Sequence, residues 1–383
     1  MNKRLGPIDG LRGIAVLLVV WFHIRQISGL PGVLHVGGYA LDFDPLARTG
    51  FIGVDLFFFL SGFCLYFPYA EALFDGAPLR STADFFYRRA LKILPSYWMS
   101  IGLMVAFGIA GITSISDGLR QVVLHLLFIH TWFPDSFHSI NDVLWSLGVE
   151  VEFYLFFPLI RPHFDRRPLA TFGALAALAL GYRLFALLDP VTLDSRIDQL
   201  PGTIDLFAAG MLAAYLARAL PSRAPKLASR RTIWTIVALV GAAVFAATIA
   251  SMNAANPPSF PSPWYVFGRD GFDLAFFALA LGSLFAWRWW QALLANRALR
   301  FLAVISYNLY LWHLVITRVL LDHRFLPYPG DPQLDPRWQL AYTGIAFAAS
   351  IAVGSLFTFA LERPLLRLRP GFGILVRRAA PAR

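Results

Sequence analysis

The sequence predicts an all-α fold: a polytopic membrane helix bundle of about ten transmembrane helices, with both termini on the cytoplasmic side and one re-entrant candidate. Three observations predict it. Of the 383 residues 57% are hydrophobic and only 15% are charged, where a soluble domain carries about 25% charged residues. The apolar residues fall in blocks long enough to cross a hydrocarbon layer of about 30 Å. The basic residues recur between those blocks on alternate sides, and the abundant rings (35 Phe and 11 Trp) suit lipid-facing and interfacial positions.

Ten stretches are long enough to span. The first four run from Ile8 to Ile24, Phe51 to Phe67, Tyr97 to Ile112 and Val143 to Ile160. The next four run from Leu169 to Leu188, Ile204 to Leu220, Ile233 to Ile249 and Phe272 to Trp287. Phe301 to Leu321 and Leu340 to Leu361 complete the set. An eleventh stretch, Leu119 to Phe133, is interrupted by Arg120, His125, His130 and Thr131, which makes it re-entrant or interfacial. With ten spans and the N-terminus inside, 24 of the 33 Lys and Arg residues fall on the cytoplasmic side, as the positive-inside rule requires. An eleventh crossing would move Arg161, Arg166 and Arg167 outside. The Pro-rich segments from Asn256 to Pro263 and from Pro327 to Pro336 then read as outer caps.

The net charge of +10 is not a nucleic-acid signal, because the basic residues form no single patch. The one cysteine, Cys64, excludes an intrachain disulfide and a thiolate metal cluster, and it reads as a small packed residue. The basic start followed by an apolar run mimics a signal peptide, but no small-residue cleavage site follows, so it reads as a retained first helix. There is no internal repeat of the transporter kind and no low-complexity tail. The expectation is one integral-membrane domain over 1–383, in the cell inner membrane, with no metal site: no metal-ligand spacing, P-loop or dinucleotide fingerprint occurs.

The segment IDGLRGIAVLLVVWFHI places Arg12 and His23 eleven positions apart. That is almost three turns, so both lie on one helix face, about 16 Å apart along the axis. The distance is comparable to the extended pantetheine arm of coenzyme A. An Arg holding phosphates at the inner surface would leave a thioester at the His. Intramembrane ionisable residues mark function by default, and a His is a natural general base for a hydroxyl. The bland alternative makes Arg12 a topology anchor and His23 a hydrogen-bonded packing residue.

In LWSLGVEVEFY, Ser146, Glu150 and Tyr154 are spaced by four and line one face, while Glu152 must point elsewhere. A buried carboxylate needs a partner, and His23 is the candidate partner of Glu150; pairing with an Arg to hold helices together is the alternative. Asp55 is a further intramembrane acid, either touching an acceptor or bracing the site. Arg88, Arg89 and Lys92 precede a helix on the cytoplasmic side, where anchoring competes with phosphate binding. Ser306, Tyr310 and His313 share another face and, with Trp312, suit an acceptor cavity; a packed core role for His313 is equally open. His125 and His130 read as interfacial.

The Arg, ten residues, then His pattern in DGLRGIAVLLVVWFH resembles the integral-membrane acyltransferase type three family. Four more stretches are similar to it in order: GFIGVDLFFFLSGF, FFYRRALKILPSYW (a basic loop leading into the third helix), LWSLGVEVEFYLFFPLI and ISYNLYLWHLVI. The resemblance covers most of the chain. It implies an O-acyltransferase that moves an acyl group, acetyl being the expected one, from acyl-CoA as co-substrate to a hydroxyl of a carbohydrate or glycolipid acceptor, with no bound cofactor. On it, His23 and Glu150 are the catalytic candidates. It tips Arg88 and Arg89 toward donor binding beside Arg12, and leaves Asp55, Ser146, Glu152, Tyr154, Tyr310 and His313 for acceptor binding or support. Direct transfer with His23 as base ranks ahead of an acyl-enzyme. A transporter or flippase of an acylated or glycosylated intermediate is the rival from another class, since carriers also use intramembrane His, Glu and Asp.

Overall fold

A computed structural model describes residues 5–36, 38–79, 81–112, 114–255, 264–328 and 330–367. Among these, ten helices are nineteen residues or longer. They are α1 (Gly6–Ser28), α2 (Gly53–Asp75), α3 (Thr82–Ala106), α4 (Leu144–Arg166) and α5 (Pro168–Ala186). The second half adds α6 (Leu200–Arg223), α7 (Arg231–Ala255), α8 (Trp264–Phe285), α9 (Arg297–Asp322) and α10 (Pro336–Phe357). Seven of the ten are long and apolar enough to cross a membrane by length and composition. The other three, α3, α4 and α8, interrupt their apolar runs with charge: Arg88, Arg89 and Lys92, then Glu150 and Glu152, then Arg269, Asp270 and Asp273. The only strands among the described residues form a small hairpin, Val33–Val36 antiparallel to Tyr39–Asp42.

Most helices run past the expected span ends, the second reaching Asp75 rather than Phe67, and the third and eighth take charged residues into their first turns. The third starts at Thr82, so the expected basic loop is the first turns of α3. Ser81 caps it by accepting from the Asp84 N–H at 3.1 Å, and Arg88 pairs with Asp84 one turn back. It ends at Ala106, short of Ile112, and Gly108 and Gly111 follow in left-handed conformation (φ 67° and 64°). The eighth starts at Trp264, taking Arg269, Asp270 and Asp273 into the helix. Their charge hides the span from an apolar count, and ion pairs described below make it tolerable. The eleventh candidate is a twelve-residue helix, Ile115–Leu126, followed by a 3₁₀ turn at His130–Trp132; it is too short to cross. The Asn256–Pro263 cap lies outside the described residues. In the other cap, Gln333 donates to Ile27 O at 2.9 Å, closing the end of α1.

Helix α2 and helix α6 form the middle of the bundle. The apolar window of α6 is 89% buried, against 17% for α5 and 22% for α10, so the last two face lipid. The α2–α6 contact is close because two glycines meet at it. A Cβ on Gly62 would stand 2.0 Å from Phe207 O, and one on Gly210 would stand 1.9 Å from Phe59 O. Small residues at such crossings let backbones approach. Helix α1 lies against α2, α9 and α10, with Ala15, Val16, Val19 and Val20 fully buried.

Cross-links between helices fix which ends share a side. Tyr66 donates to Asp165 at 2.9 Å, Arg218 pairs with Asp75 and Lys92 with Glu362. These join the ends of α2, α3, α4 and α6 and the turn after α10 at the side carrying the Arg- and Lys-rich segments, here the basic end. At the opposite end, Arg269 joins Asp55 and Asp198, and Arg25 joins Asp44.

Replacing Gly210 by Ala should lower stability by about 1–3 kcal/mol, the usual cost of overpacking, seen as a reduced melting temperature in detergent. Gly173→Ala, where an added Cβ meets nothing within 4 Å, should leave it unchanged.

Candidate functional site

Two chambers lie along α1. The inner one, toward the basic end, has a cavity volume of about 90 Å³ and is lined by Arg12, Cys64, Arg89, Lys92, Glu150 and Tyr154, among others. The outer one, about 420 Å³, is lined by His23, Asp55, His138, Asp142, Asp198 and Arg269, among others. Val54 and Tyr310 belong to both linings. The one-face placement of Arg12 and His23 therefore puts one residue in each chamber, and the wall between the chambers is thin.

The geometry around His23 fixes its tautomer. His313 Nδ1 lies 2.6 Å from Tyr310 O. A carbonyl oxygen only accepts, so this nitrogen carries the proton. In a neutral ring Nε2 of His313 is then an acceptor, and it stands 2.9 Å from Nδ1 of His23. That proton must come from His23, whose Nδ1 is also 3.0 Å from Val19 O. What remains on His23 is Nε2 with its lone pair. Backbone carbonyls on α9 and α1, relayed through His313, thus leave Nε2 as the accepting nitrogen of His23.

Glu150 does not do this. Its Oε1 accepts from Ser61 at 2.8 Å and from the Tyr154 hydroxyl. The Ser146–Glu150–Tyr154 face is as the spacing predicts, but it opens on the inner chamber. Asp142, in the turn before α4, is one of four aspartates that share a lining with His23, and the expected Glu150–His23 pair is replaced by His313–His23. Ser146 stands 2.6 Å from the Tyr310 hydroxyl, which donates to Val143 O at 3.1 Å; both belong to the wall between chambers. Glu152 points away, as expected. It accepts from Thr131 at 2.7 Å and Trp132 Nε1 at 3.0 Å, which anchors the 3₁₀ turn.

The basic cluster divides. Arg89 lies over the Tyr154 ring at 5.3 Å and lines the inner chamber beside Arg12 and Lys92. Arg88 turns back to Asp84 at 2.7 Å and does not line it. Lys92, one turn after Arg89, bonds Glu362 and reaches the chamber; reading this segment as helix rather than loop would have placed it there. Arg12 donates to Cys64 Sγ at 3.7 Å, so Cys64 is a chamber residue and not simply packing.

Asp55 braces the outer chamber. Arg269 donates to both its oxygens at 3.1 Å, to Asp198 at 2.6 Å and to Ile197 O at 2.8 Å. Nearby, fully buried Arg183 pairs with Asp205 at 2.7 Å and Asp270 at 2.6 Å. In the grouping of Asp205, Asp270 and Asp273, two of the three acids thus pair with a guanidinium. Ser306 lines the inner chamber, whereas Trp312 stacks on Phe357 at 4.6 Å and lines neither. His125 and His130 are fully buried and stacked at 3.9 Å, rather than interfacial.

Sequence reading passed over His138. Its Nδ1 lies 2.9 Å from Asp142 Oδ1, in the loop before α4. Burial pushes its imidazole down, but the Asp142 hydrogen bond and the charges of Asp142, Asp198 and Asp194 hold it above the ordinary value. The signal in the sequence was a His four residues before an Asp at the mouth of a functional helix.

Comparison with known proteins shows the family. The acyltransferase-domain family matches residues 6–356. The exopolysaccharide production protein ExoZ of Rhizobium meliloti (strain 1021) is 30% identical over 330 residues, covering 83% of this chain and 90% of that protein. A Staphylococcus aureus (strain COL) protein provisionally named as an O-acetyltransferase is 24% identical over 82% of this chain, which spans 51% of that protein. The peptidoglycan O-acetyltransferase OatA of Listeria monocytogenes is 27% identical over 168 residues, 41% of this chain and 24% of that protein. No solved structure matches. The ordered motifs, the multi-pass helical bundle and a family match over nearly the whole length agree: the chain belongs to the integral-membrane acyltransferase type three family.

Proposed function

We propose that this protein is a single-domain O-acyltransferase of the cell inner membrane, both termini inside, that moves an acyl group, in the first instance acetyl, from acyl-CoA in the inner chamber to a hydroxyl of a carbohydrate or glycolipid in the outer one. One observation carries the reading: a single helix sets a guanidinium in one chamber and a tautomer-fixed base in the other, with a shared wall between them. The names of relatives that act on exopolysaccharide production and peptidoglycan support a glycan acceptor.

In this scheme Arg12 and Arg89, with Lys92, meet the phosphates of coenzyme A, and Glu150 offsets part of their mutual repulsion while the site is empty. The pantetheine arm runs beside Tyr310, which brings the thioester carbonyl to the wall. His23 Nε2 takes the proton of the acceptor hydroxyl as its oxygen attacks that carbonyl. The C–S bond breaks, and the thiolate takes the proton back from Nε2. The His23 Nδ1–H keeps donating to His313 Nε2 throughout. A buried site keeps water from consuming the donor. Acyl-CoA is a co-substrate, and no step is assigned to a bound cofactor.

With purified protein and labelled acetyl-CoA, His23→Ala should reduce label transfer by about 10²–10⁴-fold, the range for a general base, while the protein still assembles in the membrane; full activity overturns the assignment. The chambers predict a split in kinetics. His313→Phe should lower kcat, on the order of 100-fold, with KM for the donor little changed. Arg89→Ala should raise donor KM with a smaller effect on kcat, and the reverse pattern would reject the chamber assignment.

A further inference from the structure

Away from both chambers, a groove of about 650 Å³ opens between the end of α4 and the start of α5. His163, Arg166 and Arg167 line it at the basic end, and no acid lines it. Three other bases at this end are matched: Arg88 by Asp84, Lys92 by Glu362 and Arg218 by Asp75. Arg166 and Arg167 are exposed and have no ion pair or side-chain hydrogen bond among the described residues. Asp165, their neighbour in the chain, is already engaged: it accepts from Tyr66 and from Arg161, both at 2.9 Å. Below this rim the groove is apolar. Leu159 lies one turn before His163 on α4, and Ala174 and Leu175 lie about two turns, roughly 10–12 Å, beyond Arg167 on α5.

The two halves of the groove select its occupant. The apolar window of α5 is only 17% buried, so the groove opens toward hydrocarbon and not into the bundle. A soluble anion would meet the guanidiniums but leave the apolar half unfilled. A phospholipid suits both halves, with its phosphate at the rim and its acyl chains against Leu159, Ala174 and Leu175. Guanidiniums bind phosphate oxygens in a fork, and basic pockets between membrane helices hold anionic headgroups. A zwitterionic lipid would bring an ammonium to a rim of bases, where like charge offsets part of the attraction. We infer that this groove is a binding site for an anionic phospholipid, one whose headgroup carries phosphate without an amine. The site stands apart from acyl transfer, since it shares no lining residue with either chamber. It fastens the end of α4, whose Glu150 and Tyr154 line the inner chamber, to the lipid around α5.

The test titrates the purified full chain in detergent with dioleoylphosphatidylglycerol or dioleoylphosphatidylcholine and counts bound lipid by native mass spectrometry. The expected result is a phosphatidylglycerol held about tenfold more tightly than phosphatidylcholine. Replacing both arginines, Arg166→Gln with Arg167→Gln, should weaken it by about 30-fold. Lys226→Gln with Arg230→Gln removes equal charge from the same end outside the groove and should change the affinity by no more than about twofold. Ala174→Phe, which fills the apolar half and keeps every charge, should also weaken binding. Equal affinity for the two lipids, or equal losses in the two double variants, overturns the site in favour of general surface charge. An Ala174→Phe protein that binds as tightly as the native one overturns the groove as the seat of the lipid. Displacement of the lipid by millimolar inorganic phosphate assigns the rim to a soluble anion and also overturns the inference.

Discussion

The buried guanidinium of Arg269 holds the outer half of the molecule together. It ties α8 to Asp55 at the start of α2 and to Asp198 in the turn before α6. Breaking a buried pair of this kind costs about 3–5 kcal/mol, because the remaining charge has no water to turn to. The three elements so joined are also three walls of the outer chamber. Arg183 repeats the device between α5, α6 and α8. Charges that an apolar count treats as interruptions are therefore the fasteners of the bundle, and they keep a polar cavity open inside a membrane protein.

Against that fixed frame, α1 serves as a ruler. Its eleven-residue interval separates a cationic chamber from a chamber that contains His23, and its buried face keeps both in register with α9. The interaction that matters most for chemistry joins these two helices: the 2.9 Å contact between His23 and His313. The carbonyl of Tyr310 decides the tautomer of His313, and His313 decides that of His23. An acidic orienter would have favoured a charged imidazole; a neutral one leaves His23 ready to accept a proton.

Much of this was legible in the sequence. The ten long helices, the shared face of Arg12 and His23, and the outward turn of Glu152 follow from the apolar pattern and periodicity, local properties. What was not legible depends on which helices meet. The spacing put Glu150 on a polar face correctly, but only packing shows that this face opens on the inner chamber and that His313 reaches His23 instead. Arg88 and Arg89 look equivalent in the chain, yet Asp84 captures the first and leaves the second to the chamber. His138 and Asp142 lie in a loop, where no period exposes a shared direction.

The central claim is that donor and base occupy chambers opening toward opposite ends of one bundle. Sided proteoliposomes test it most directly, with labelled acetyl-CoA supplied to one face and a glycan acceptor to the other. The account predicts label on the acceptor only when the donor meets the Arg12 end and the acceptor meets the His23 end. Transfer that requires both substrates on the same face would contradict it.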